Sequence, residues 1–131
     1  SKINCQNSDE FHIHQNEIFI TNPIQLEFKI INHSIETDKN CIILDKEKLT
    51  FPLTIRKRKN GDIFYPVGMQ GKKKVSKYYK DEKLSLIDKE NTWLLCNNES
   101  VIWIIGRRAD RRFIANSNSK SIQKITLIPH S

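Results

Sequence analysis

Three short basic segments carry the chemical signal of this 131-residue chain: Arg56-Lys57-Arg58-Lys59, Lys72-Lys73-Lys74 with Lys77, and Arg107-Arg108 with Arg111-Arg112. Lysine delivers a compact charge to a phosphate backbone, and arginine adds a forked, geometry-selective contact. Between the first two segments lie Gly61, Gly68 and Gly71, three of the four glycines. Turns built on glycine bring cationic segments together and expose backbone N–H groups that meet phosphate oxygens. Tyr65, Tyr78 and Tyr79 interleave with the charges, where they would either contact ribose and bases or pack a short helix on a sheet. Residues 1–50 hold five lysines against eight carboxylates, whereas residues 51–131 hold seventeen Lys or Arg against seven. Such asymmetry points to a polyanion as partner, nucleic acid first; a solvated lysine-rich surface is the plain alternative.

Other chemistries lack their residues. A phosphate-binding P-loop would need Gly where Pro66 stands and Ser or Thr where Lys73 stands, and no dinucleotide-type glycine pattern exists. His12 and His14 alternate on a strand face without an acidic or Cys partner nearby, so no metal site is expected. Asp9-Glu10 and Asp81-Glu82 are adjacent pairs that regular structure sends to opposite faces, which argues against an acid/base dyad. Cys5, Cys41 and Cys96 are odd in number and far apart, so neither a disulfide framework nor a zinc ribbon is indicated. No catalytic residue is expected. Neither a membrane-spanning run nor a hydrophobic leader is visible, and a cytoplasmic location is expected. The first residue is Ser rather than Met, which suggests a piece of a longer protein.

The elements that must position these groups follow from periodicity. Glu17 to Ile20, Leu26 to Ile31 and Cys41 to Leu44 read as strands. From Thr50 the chain alternates, with Phe51, Leu53 and Ile55 on one side and Thr54, Arg56 and Arg58 on the solvent side. Asn60-Gly61 predicts a type I′ hairpin returning through Ile63 to Tyr65. Pro66 to Gly71 is a compact loop, Ser76 caps a helix to Asp81, and a second helical turn covers Leu84 to Lys89. Trp93 to Cys96 and Val101 to Gly106 flank Asn97-Asn98 as another hairpin, with both tryptophans assigned to the core. Asn116 to Ser121 is a loop, and Ile122 to Ile128 a closing strand. The expected fold is a single α+β domain over residues 1–131, strand-rich, with one or two short helices.

Pro52-Leu53, Ile55-Arg56, Arg58, Gly61-Asp62, Phe64, Pro66, Gly68-Met69, Gly71, Lys73-Lys74, Ser76, Asp81 and Lys83 form one long ordered pattern. Ile102-Trp103, Gly106, Arg108 and Asp110-Arg111-Arg112-Phe113 continue it. Together, over residues 50–113, they resemble the C-terminal domain of bacterial tRNA(Ile)-lysidine synthetase. Val75 and Tyr78-Tyr79 stand where that family often has Leu and Phe, and Ile63 where it often has Arg. The resemblance implies a fold similar to a module of phenylalanyl-tRNA synthetase β subunits. It implies a parent enzyme that uses ATP to ligate lysine to the wobble cytidine of the CAU-anticodon isoleucine tRNA. ATP would bind an N-terminal catalytic domain outside this chain, and this part would hold the tRNA acceptor stem.

On that reading Arg56, Arg58, Lys72, Lys73, Lys74, Lys77, Arg108, Arg111 and Arg112 contact RNA, while Gly61, Asp62, Gly68 and Gly71 shape the turns that present them. The competing reading is a domain that docks on its own enzyme or forms a homodimer, with charge serving folding and solubility.

Overall fold

The computed structural model describes residues 10–33 and 35–129. Cys5, Asp9 and Ser34 lie outside the described residues. Strands dominate. β1 (Glu10–Ile13), β5 (Leu53–Arg56), β8 (Leu94–Asn97), β9 (Ser100–Ile104) and β10 (Arg108–Ala109) form an antiparallel sheet in the order β1-β5-β8-β9-β10. A second sheet, ordered β2-β3-β11-β4, comprises β2 (Phe19–Ile20), β3 (Leu26–Ile31), β4 (Cys41–Asp45) and β11 (Ile122–Leu127). A short ribbon pairs β6 (Ile63–Phe64) with β7 (Lys73–Lys74), and α1 (Val75–Asp81) begins where β7 ends. A second helix, α2 (Leu86–Glu90), precedes β8.

Side-chain alternation sets the layers. Leu53 and Ile55 of β5 join Ile13, Phe28, Leu44, Trp103 and Ile125 in one apolar core that both sheets supply. Leu94, Cys96, Val101 and Ile104 of the five-stranded sheet meet Phe64, Val75, Tyr78, Tyr79 and Leu84 in a second core. That sheet is therefore buried on both faces, which is why β8 and β9 read as continuous apolar runs. Burial also pushes the Cys96 thiol up to about 12, the behaviour of a small core residue. The β8–β9 register steps from Leu95↔Trp103 to Cys96↔Val101, leaving Ile102 as the extra residue of a β-bulge. Ile102 and Trp103 consequently join the same core, and the Ile102 carbonyl accepts the Asp110 N–H at 2.7 Å.

The strand-rich α+β expectation holds, as do the hairpin at Asn97-Asn98, where Asn98 takes φ 55°, and the closing strand. Four local expectations do not. Glu17 and Ile18 precede the short β2. Ser76 lies inside α1, whose N-cap is Lys74, because the chain enters the helix directly from β7. The second helix starts later than Leu84, at a capping box between Ser85 and Asp88.

The fourth concerns Asn60-Gly61. A tight turn does form, with Asp62 N–H donating to Lys59 O at 3.1 Å. Gly61 has φ 88° and Asn60 does not enter the left-handed region, a type II pattern rather than I′. Nor does the turn join paired strands, since β5 pairs with β1 and β8 while β6 pairs with β7. One sheet partner of β5 comes from the start of the chain and the other from Leu94–Asn97, both out of reach of any local signal.

Candidate nucleic-acid interface

Arg56 is the clearest correction. It was expected beside Arg58 on a solvent face, but it is 3% exposed. The alternation along β5 is real, yet the face carrying Arg56 is roofed by the β6–β7 ribbon and α1 rather than by water. Its guanidinium forms a two-pronged ion pair with Asp62, Nη1 to Oδ2 at 2.8 Å and Nη2 to Oδ1 at 3.0 Å. The Lys59 N–H donates to the same carboxylate at 2.7 Å. Burial pushes the Asp62 carboxyl up, and the hydrogen bonds from Arg56 and Lys59 outweigh it, leaving the group below its ordinary value. Arg56 is raised by its bond to Asp62. The pair fixes the Lys59–Asp62 turn from beneath, so Arg56 supports the surface rather than forming it.

The loop from Pro66 to Gly71 is held by the third basic segment. Pro66 bridges to Asp110, and Val67 N–H donates to Ala109 O at 2.9 Å. Arg108 Nη1 donates to Val67 O at 3.0 Å, and Arg111 Nη1 donates to both Met69 O and Gly71 O at 3.1 Å. Two arginines thus satisfy three loop carbonyls. Gly68 and Gly71 supply the positive φ angles, 85° and 71°, that let the loop fold back. Arg112 stacks over Tyr65, 4.2 Å from the ring centroid, and pairs with the buried Asp110 at 2.9 Å. Asp110 also accepts the Tyr65 N–H at 2.9 Å and the Arg112 N–H at 2.7 Å.

Asp110 has no site role in the sequence reading. The available signal was one carboxylate set among four arginines, a pattern that asks which of the charges are neutralised internally.

The lysines divide. Lys73 and Lys77 both bind Asp81, at 2.6 and 2.8 Å, and their hydrogen bonds hold its carboxyl down at about 2. Lys72 and Lys74 are exposed and make no ion pair among the described residues. Arg58 is exposed too, its nearest polar contact being Asn60 Oδ1 at 3.5 Å. The Lys59–Asp62 turn abuts Lys74, because Asp62 O accepts the Val75 N–H at 3.0 Å and Ile63 faces Lys74 across the ribbon. Gly71, beside Lys72, is tied to Arg111. A band of contacts therefore links Arg58, Lys74, Lys72 and the arginine-clamped loop.

The aromatic residues separate in the same way. Tyr78 and Tyr79 are buried in the helix-side core, and burial pushes the Tyr79 hydroxyl up to about 12. They pack, and only Tyr65 stays half-exposed beside cations. Trp103 is in the core as expected, and Trp93 packs half-buried against that core, with Lys57 Nζ 4.3 Å over its ring. No cluster of His, Cys, Asp and Glu fit to hold a metal occurs among the described residues. Among them, no helix is long and apolar enough to cross a membrane.

With this geometry in view, comparison with known proteins is specific. A tRNA(Ile)-lysidine synthase from Parabacteroides distasonis is 45% identical over 104 residues, covering 76% of this chain and 24% of the relative. One from Bacteroides thetaiotaomicron is 41% identical over 88 residues, covering 67% of this chain and 21% of the relative. The chain thus spans about a quarter of the length of these curated relatives. A crystal structure of a TILS C-terminal domain superposes with a TM-score of 0.77, covering 93% of this chain and 99% of the other at 14% identity, which speaks to fold alone. The sequence profile of the TilS substrate C-terminal domain matches residues 53–126, more than half of the chain, and the chain belongs to that family.

Proposed function

We propose that the chain binds tRNA for a tRNA(Ile)-lysidine synthase, gripping the acceptor stem by its phosphates. On this reading an N-terminal catalytic domain of the same protein uses ATP to join lysine to the wobble cytidine of the CAU-anticodon isoleucine tRNA. The present residues contribute no catalytic group and hold no ATP; they position RNA. The observation that carries the proposal is the band of exposed Lys72, Lys74 and Arg58, which make no ion pair among the described residues, beside a loop fixed by Arg108 and Arg111. Arg112 and Tyr65 flank it as a stacked pair, and Lys73 and Lys77, half-neutralised by Asp81, contribute less.

A salt titration tests it. Each neutralised phosphate on a duplex contributes a slope of about −0.9 in log K against log salt. Binding to an acceptor-stem minihelix should weaken with salt, and Lys72→Ala with Lys74→Ala should flatten the slope by roughly two units. An unaltered slope would assign these lysines to ordinary solvated surface.

A second reading has its own support. Ile18, Phe19 and Ile30 are exposed at 74%, 45% and 54% near the β2 edge of the four-stranded sheet. They suit apolar docking against the remainder of the parent protein or a second copy of the chain. Sedimentation of the chain alone reports a homodimer directly, and Phe19→Glu should abolish it if this edge is the contact.

A further inference from the structure

An open cleft of about 270 Å³ lies between the chain segment 37–42 and the start of the 66–71 loop. Its lining is largely apolar: Val67 from the clamped loop, Ala109 and Ile114 are at least partly exposed, over the buried Ile42 and Trp103. Lys39, Arg107 and Arg108 supply three cations to its lining, against the single carboxylate of Asp38. An apolar lining with three cations beside it suits a planar base whose flanking phosphates stay outside. Asp38 refines the match. Its Oδ1 accepts the Asn40 N–H at 2.8 Å, which leaves the other oxygen to accept from a guest. A carboxylate acceptor suits a base that offers an exocyclic amine, adenine, cytosine or guanine, over uracil, whose single N3–H donor sits between two carbonyl oxygens that a carboxylate repels.

We propose that this cleft receives one unpaired, amine-bearing nucleobase from a single-stranded end of the bound RNA. The inference rests on the RNA-binding reading and extends it from phosphates to a base. Val67 is common to both places: Arg108 clamps its carbonyl to order the loop, and the residue is 39% exposed and lines the cleft. The stem would lie on the lysine band and its single-stranded end would turn into the cleft beside it.

The test compares one short RNA stem in four forms: blunt, or carrying a 3′ overhang of adenines, cytosines or uracils. The chain should bind the adenine and cytosine forms at least about fivefold more tightly than the blunt form, the scale of one stacked base. Thr37→Trp, an exposed lining position outside regular structure, should lose that gain while binding the blunt stem as before. A second readout needs no cleft variant. Cys41 lines the cleft and is half-buried, while Cys96 is 0% exposed. In a Cys5→Ser background, alkylation of Cys41 by iodoacetamide should slow with the adenine or cytosine overhang and not with the blunt stem. Blunt-stem binding with no overhang gain and no protection of Cys41 would overturn the cleft proposal alone. Equal gains from the uracil overhang would overturn the role given to Asp38. Failure of every stem to bind would overturn the RNA reading and this inference together.

Discussion

The arginines illustrate how residue type and residue role part company. A guanidinium is the best available fork for phosphate, but it is equally the best for a carboxylate or a row of carbonyls. Arg56 has gone to Asp62, Arg108 and Arg111 to loop carbonyls, and Arg112 to Asp110. The difference is measurable. Arg56→Ala strands a nearly buried carboxylate and should cost about 3–5 kcal/mol in urea unfolding. Lys72→Ala should stay within about 0.5 kcal/mol of the parent, as exposed substitutions do. Similar losses for both would erase the distinction between support and surface. Asp81 offers a second check at this scale. Held at about 2 by Lys73 and Lys77, it should titrate well below an ordinary carboxylate by NMR. Lys73→Ala with Lys77→Ala should return it towards its usual value, and an unchanged midpoint would remove the ion pairs from the account.

At the scale of elements, the glycine turns and the ribbon do the positioning. Gly61 at φ 88° has nothing within 4 Å of where a Cβ would lie, so any cost of substitution there is conformational rather than steric crowding by neighbours. Gly61→Val should destabilise by about 1–2 kcal/mol, since a β-branched residue resists the left-handed region. Chemical denaturation gives the value directly, and an unchanged midpoint would contradict the turn geometry. The β6–β7 ribbon and α1 then cover the face of β5 that carries Arg56. Local propensity reads the β6 strand and a helix ending at Asp81 there, but neither β7 nor the roof that these elements form. The Ile102 bulge is another element-level decision, because one extra residue frees a carbonyl for Asp110 and aligns the segment that clamps the loop.

Across the whole molecule, two carboxylates tie the basic half together. Asp62 and Asp81 both have folded-state values below their ordinary 3.8. A lowered carboxyl contributes stability that is full above its unfolded value and is lost as pH falls through the folded one. Stability should therefore be flat down to about pH 4 from these groups and fall between about pH 4 and 2. Asp62→Asn, read by thermal melts across that window, should lower stability at neutral pH and flatten the acid decline. A variant with the same acid dependence as the parent would place the sensitive groups elsewhere.

The family, the strand-rich α+β class, the places of the glycine turns and the cationic half are legible in the order of residues, because each depends on local order: a long spaced motif, period-two runs, turn-forming residues, a count of charges. Which cations face water follows from the folded packing alone. Leu53-Thr54-Ile55-Arg56 alternates whether its second face meets solvent or a roof of β6, β7 and α1, so periodicity alone leaves the surroundings of Arg56 open. Lys73 and Lys77 differ from Lys72 and Lys74 by the reach of Asp81, and Arg108 and Arg111 differ from Arg58 by the carbonyls of a loop some forty residues earlier. Partners both near and distant along the chain consume charge that composition counts as free.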